Sequence, residues 1–203
     1  NHTFFYREKE HFEFMNGIAL PQITQALAQQ NSRDLRTWCA GCSMGDEAYV
    51  IIMMLMEHFG AQYGSWDAGL LATDISEKAL NFAMKGVYPT ERIDKLPPAL
   101  RNKYLTKHSA DIWAVSDAVK REITFRRFNL MNKTFPFKKQ FHIIFCRNVM
   151  IYFDQTTRDE LIQKYFDLTV PGGYLFIGHS ETLGRGRTSY EFVKPAVYRK
   201  ADS

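Results

Sequence analysis

Three sets of residues in the first half of the chain have types and spacing suited to chemistry. Cys39-Ala40-Gly41-Cys42 has the spacing of a redox dithiol or of half a zinc site. A structural zinc needs a second ligand pair, for which the chain offers only His142 and Cys146. Small residues filling a tight turn account for the same four positions without any ion. Asp46 and Glu47 follow Gly45; either carboxylate can meet a substrate ammonium group, or simply stabilise the positive end of a helix. Asp74 ends the apolar run 69–73, where a carboxylate can accept both hydroxyls of an adenosine ribose. Gly41 and Gly45 allow a ligand to approach the backbone closely. The dinucleotide fingerprint G-x-G-x-x-G is not met, and acids at a helix start are poorly placed beside a pyrophosphate. Loop and acids together lean toward S-adenosylmethionine (SAM) rather than NAD.

Such residues need strands and helices to hold them. Residues 36–40 read as a short buried strand, and the turn from Gly41 to Gly45 leads into 47–59, a long and almost wholly apolar stretch that suits a helix packed on a sheet. Residues 69–74 form a second buried strand, and the helix after it takes Ser76 as N-cap and Gly86 as terminator. Pro97-Pro98 precede a helix over 99–105, and the segments 112–115 and 123–128 predict a small antiparallel excursion. The sheet resumes at 141–146, followed by a helix over 155–168, a turn at Pro171-Gly172-Gly173, a strand over 174–178 and a closing hairpin of 190–193 with 197–199. This alternation predicts an α/β fold, doubly wound around a mainly parallel, Rossmann-like sheet. Sheets of that kind bind ligands beyond the carboxyl ends of their strands.

The bulk properties narrow the classes. With 203 residues, 45% hydrophobic and 24% charged, one domain can bury a core without disulfides. Three cysteines fit a reducing compartment better than a disulfide scaffold. No apolar run approaches the roughly 20 residues of a membrane span, and residues 1–20 show no signal-peptide pattern; a cytoplasmic protein is expected. The net charge of +4 is spread, with Lys120-Arg121, Arg126-Arg127 and Lys138-Lys139 as its densest points. That favours an acidic protein partner over nucleic acid.

Six motifs in order then resemble those of CheR-type chemotaxis receptor methyltransferases, over essentially the whole chain. They are Asn1-His-Thr3-Phe-Phe-Tyr-Arg7, Ser43-Met-Gly45-Asp46-Glu47-Ala-Tyr49, Ala72-Thr-Asp74-Ile75, Phe128-Asn129-Leu130, Ile144-Phe-Cys-Arg147-Asn148-Val-Met-Ile-Tyr152-Phe153 and Gly178-His-Ser-Glu181. Asp46 stands where the family has glutamate, and Ala48 where it often has proline; both suit a first helical turn. The resemblance implies one SAM-dependent methyltransferase domain over 1–203, with a small antiparallel β-subdomain inserted at about 107–128. On this resemblance the family's N-terminal helical domain is expected to be absent from residues 1–203, the resemblance starting at the edge of the cofactor site.

Carried over position by position, the resemblance implies that Glu47 holds the methionine ammonium of SAM and Asp74 the ribose. Asn129 and Leu130 frame the adenine, Arg147 and Asn148 lie near the nucleoside and methionine parts, and Asn1, Thr3 and Arg7 close over the methionine tail. Arg7 and Tyr152 are the candidates for orienting the substrate carboxylate; apart from the resemblance they read as a surface arginine and a core-edge tyrosine. The implied substrate is a glutamate on the cytoplasmic helices of a chemotaxis receptor, and the implied product of the cofactor is S-adenosylhomocysteine. A glutamate with a pKa of about 4.3 is already ionised near neutrality, so attack on a sulfonium methyl needs no general base and no metal. Alignment and desolvation carry the catalysis.

Two other classes are weighed against this one. Methyltransferases for base amines carry Asp/Asn-Pro-Pro-aromatic after the fourth strand, whereas this chain has Cys146-Arg147-Asn148-Val149 there, and its only Pro-Pro lies between Leu96 and Ala99. A non-catalytic SAM sensor would not need Arg7 and Tyr152, and both are present. Some family members grip a receptor's C-terminal pentapeptide with a glycine-bearing β-subdomain. Here no glycine occurs between Gly86 and Gly172, which predicts receptor recognition without that tether, through the methylated helices and basic residues such as Arg126 and Arg127.

Overall fold

The computed structural model describes residues 3–203; Asn1 lies outside them. The chain opens with two helices, α1 (Lys9–Phe14) and α2 (Leu20–Gln29), joined by a wide helical turn at Met15–Ala19. Phe12, Met15, Ala19, Ile23 and Leu27 make their buried face. The spacing of three or four residues is the helical signature, and the motif-led reading of this stretch passed over it.

Strand β1 (Thr37–Ala40) then leads through a loop into α3 (Asp46–Phe59), and β2 (Leu70–Asp74) leads into α4 (Glu77–Lys85). Ser76 caps α4 by accepting the Ala79 amide, and Gly86 ends it in the left-handed conformation at φ 64°, as the sequence predicts. After β3 (Val87–Pro89), α5 (Thr90–Ile93), α6 (Pro98–Tyr104), β4 (Leu105–Lys107) and β5 (Ile112–Val115) come α7 (Asp117–Lys120) and β6 (Ile123–Arg127). The chain closes with β7 (Phe141–Cys146), α8 (Gln155–Leu168), β8 (Thr169–Ile177), β9 (Glu191–Lys194) and β10 (Val197–Arg199).

Seven strands form the main sheet in the order β6-β2-β1-β7-β8-β10-β9. The first five run parallel, and β10 is antiparallel to both of its neighbours. Period-2 alternation divides the core between the two faces. Cys39, Ile143, Phe145 and Phe176 face α1–α3, while Trp38, Ala40, Ile144, Cys146, Leu175 and Ile177 face α8. Trp38 anchors the second face, its indole N–H donating to Thr73 Oγ1 at 2.9 Å. The doubly wound, mainly parallel fold is the one expected from the sequence.

Two assignments are corrected. Residues 123–127 do not belong to the small antiparallel sheet; they form the parallel edge strand beside β2, with Leu70 opposite Ile123 and Asp74 opposite Arg127. The small sheet has the order β3-β5-β4, so the insertion spans 87–115 rather than about 107–128. Two short apolar segments close in sequence read as a hairpin, but the turn of α7 between them reverses the chain and returns it parallel to β2. Pro171-Gly172-Gly173 likewise lies inside β8 as an irregularity, where the register jumps from Phe141–Thr169 to Ile143–Tyr174.

Candidate active site

The strand order reverses between β1 and β7, and loops diverging at such a point open a crevice beyond the strand ends. A cleft of about 790 Å³ lies there, within the size range of cofactor sites. The loops after β1, β2, β6 and β7 contribute to its wall, and residues 3–12 run along it. Thr3, Arg7, Glu47, Asp74, Asn129, Leu130, Arg147, Asn148 and Tyr152 all line this one cleft, although they are spread over 150 positions of sequence. Topology brings them together.

The β1 loop owes its shape to two left-handed glycines. Gly41 has φ 81° and Gly45 φ 91°, a conformation that costs most residues strain. Gly41 lines the cleft, but a side chain at either position would run into protein. A Cβ on Gly41 would lie 2.5 Å from Val149 Cγ2, and one on Gly45 would lie 2.8 Å from Ala83 Cβ. Cys39 and Cys42 are buried free thiols, and burial pushes both well above the ordinary thiol range. The pair therefore serves the turn and the core.

The two adjacent acids divide their tasks. Asp46 is fully buried and takes a bidentate ion pair from Arg92, Nε to Oδ1 at 3.0 Å and Nη2 to Oδ2 at 2.5 Å. It holds α3 to the segment at Arg92. Glu47 points into the cleft, where its Oε1 accepts the Cys39 thiol at 3.2 Å and its Oε2 lies 3.1 Å from Arg147 Nε. Burial pushes the Glu47 carboxyl above the ordinary carboxylate range, and the Arg147 charge pulls it back.

Arg147 is the hub of the floor. Its guanidinium donates from Nη2 to the Arg7 carbonyl at 2.5 Å, lies 3.5 Å from Glu8 Oε2 through Nε and sits 5.3 Å over the Phe12 ring. Nε and Nη1 are buried without a hydrogen-bond partner among the described residues, and leaving buried donors unpaired is costly. Glu8, His11 and His179 bring three potential metal-ligating atoms within 4.8 Å of one another. Because Glu8 already faces the Arg147 guanidinium, a second cation there would be repelled. Burial, reinforced by Arg147, lowers His11 to a pKa of about 3.

Asp74 bridges two loops: Oδ2 accepts the Ser43 amide at 2.8 Å and Oδ1 the Ser76 amide at 2.9 Å. A carboxylate offers about four acceptor positions, so capacity remains for ligand hydroxyls. Asn129 Oδ1 accepts the Met131 amide at 2.9 Å, which curls the loop carrying Leu130 along the cleft. Tyr152, 71% exposed, stands with Ile75, Met131 and Ile151 as exposed apolar surface on the cleft lining. Arg126 and Arg127 lie at the end of the edge strand, exposed. Glu8 and Glu181 are the contributors that motif reading did not single out, although both stand inside quoted motifs or beside them.

Comparison with known proteins shows the family of the chain. The family model for the CheR methyltransferase SAM-binding domain matches residues 1–198. A chemotaxis protein methyltransferase of Borreliella burgdorferi is 44% identical over 200 residues, 98% of this chain and 70% of that protein. A probable chemotaxis protein methyltransferase of Rhizobium etli is 36% identical over 99% of this chain and 78% of its own length. Among solved structures, the glycopeptide N-methyltransferase MtfA complexed with sinefungin is 13% identical, covering 87% of this chain and 50% of its own at a TM-score of 0.49. The chain belongs to the CheR methyltransferase family and carries its SAM-binding domain.

Proposed function

We propose that this protein transfers the methyl group of SAM to glutamate side chains of methyl-accepting chemotaxis receptors, forming glutamate methyl esters at the receptors' cytoplasmic helices. The observation that carries this reading is the charge arrangement on the cleft floor. A carboxylate (Glu47) and a guanidinium (Arg147) whose Nε and Nη1 have no hydrogen-bond partner among the described residues stand side by side, which fits the ammonium and carboxylate of one amino-acid tail. Asp74, at the end of the neighbouring strand, fits a ribose, with Asn129 and Leu130 framing a base and Asn148 between. Thr3 and Arg7 cover the tail.

SAM supplies an electrophilic methyl on a sulfonium centre. The chain's own residues then have three tasks: to bind, to orient and to exclude water. Glu47, Arg147 and Asp74 fix the two ends of the donor. Arg7 and Tyr152 orient the acceptor carboxylate, which arrives ionised and needs no base. Attack cancels opposite charges, so a cleft drier than bulk water favours it. The apolar surface of Ile75, Met131, Ile151 and Tyr152 would keep water from the mouth when a receptor helix covers it.

Receptor recognition in this reading does not use a C-terminal pentapeptide. The β4–β5 connection closes tightly, with the His108 and Ser109 amides both donating to the Ile112 carbonyl, and residues 87–115 contain no glycine. Basic residues such as Arg126 and Arg127 would meet the acidic receptor surface instead. The test is incubation of the chain with methyl-labelled SAM and a receptor cytoplasmic fragment. Label transferred to the fragment, and blocked by S-adenosylhomocysteine, supports the reading.

A further inference from the structure

The Gly-His-Ser-Glu motif has no part in the roles above, yet its two ends meet the cofactor loop directly. Glu181 Oε2 accepts the amides of Asn148 at 2.9 Å and of its own Gly178 at 2.7 Å, while Oε1 accepts the Ile151 amide at 3.2 Å. One carboxylate thus holds both ends of the segment Asn148–Ile151. Asn148 lies at φ 57°, an uncommon conformation for a residue with a side chain, and Glu181 satisfies its amide there. Gly178 completes the fit, because a Cβ at that position would come within 2.5 Å of Asn148 Nδ2 and 2.9 Å of Glu181 Oε2.

The two carboxylate oxygens serve different parts of the site. Oε2 fixes Asn148, on the cofactor side. Oε1 fixes Ile151, the residue before Tyr152, on the acceptor side. We infer that Glu181 is a positioning residue for methyl transfer: it sets the β7 loop so that Asn148 meets the cofactor and Tyr152 meets the acceptor, and each oxygen governs one of these tasks. The inference rests on the reading of the cleft given above.

The division makes the glutamine variant informative. In Glu181→Gln, the amide oxygen would take the two-amide position, and the side-chain NH2 would face the Ile151 N–H, donor against donor. The acceptor side should loosen while the cofactor side holds. Glu181→Ala frees both sides, whereas Gly178→Ala presses on Asn148 Nδ2 and on Glu181 Oε2 together, the cofactor side of the arrangement.

Two measurements decide the matter. Amide hydrogen exchange does not depend on any acceptor: in Glu181→Gln the Ile151 amide should exchange at least about tenfold faster than in the wild type, with Asn148 unchanged, as expected for loss of one local bond. Calorimetry with S-adenosylhomocysteine should give Glu181→Gln a Kd within about twofold of wild type, while its kcat for methyl transfer falls on the order of 10- to 100-fold, the cost of a misplaced orienting group. Gly178→Ala should show the reverse pattern, with weakened cofactor binding. Equal protection of Ile151 in Glu181→Gln and wild type would overturn the inference, as would equal losses of affinity and turnover in Glu181→Gln that track its Tm. A wild-type chain that transfers no methyl would count against the proposed function instead, and the exchange result would still decide the role of Glu181.

Discussion

Glu47 and Arg147 face each other at 3.1 Å across the floor of the cleft, one from the start of the helix after β1, the other from the loop after β7. Each is the other's counter-ion, and both residues line the cleft. Glu47→Gln keeps the shape and removes the charge. It should weaken SAM binding by about 1.5–3 kcal/mol, the range of a hydrogen bond to a charged group, with a smaller loss for a ligand lacking the ammonium. Isothermal calorimetry with SAM and with methylthioadenosine measures the difference. Equal losses for both ligands would remove Glu47 from the ammonium site.

Asp74→Ala should act twice. It removes an acceptor for the ribose, weakening SAM by roughly 1–3 kcal/mol, and it also strips the Ser43 and Ser76 amides of their partner. The variant should therefore melt at a lower temperature even without ligand. Affinity unchanged in calorimetry would exclude Asp74 from the site, whatever its Tm.

A pH dependence follows from His142. Its Nδ1 accepts the Arg36 amide at 3.0 Å, and burial, with Arg36 nearby, lowers its pKa to about 4. A histidine depressed in the folded state binds its proton more readily when unfolded. Its contribution is complete above about 6.5 and is lost as pH falls from there toward 4. His11, lowered to about 3, acts in the same direction. Tm should fall steadily over that window, and His142→Gln, which can still accept the Arg36 amide, should fall less steeply. Parallel curves for the two proteins would refute the assignment.

Much of this was legible from residue types alone, for identifiable reasons. Ser76, Gly86 and the run 155–168 carry capping and periodic signals that depend only on neighbours in sequence, and the helices appear where those signals put them. The edge strand 123–127 was not legible, because the direction in which a short apolar segment pairs is decided by the chain reversal at α7 and by the open edge of β2. At the site, residue type pointed to Asp74 and left Asp46 and Glu47 as alternatives; the resemblance chose Glu47, and the burial of Asp46 against Arg92 depends on a contact 46 positions away. Glu181 was visible as a motif member, but its action on Asn148 and Ile151 exists only once β7 and β8 lie side by side. Asn1 lies outside the described residues, so its expected place over the methionine tail remains a proposal.

The glycine-free insertion leads to a binding prediction. Adding a peptide to a sheet edge needs close backbone approach, which glycine at a bend commonly permits. Titration of the chain with a receptor-tail pentapeptide should show no saturable binding up to concentrations on the order of 1 mM, a level at which any binding contributes only about 4 kcal/mol. Saturable micromolar binding, abolished by changes in residues 105–115, would show that this sheet grips the tail by another geometry.

The most direct measurement is the chemical identity of the product. After incubation with methyl-labelled SAM and a receptor cytoplasmic fragment, the modified peptides are mapped by tandem mass spectrometry and treated with mild base. The prediction is a methyl group on glutamate side chains of the receptor helices, released by base as methanol, and formed more slowly by Tyr152→Phe at unchanged SAM affinity. Tight SAM binding with no transfer to any receptor fragment, or a base-stable methyl on a nitrogen, would contradict it.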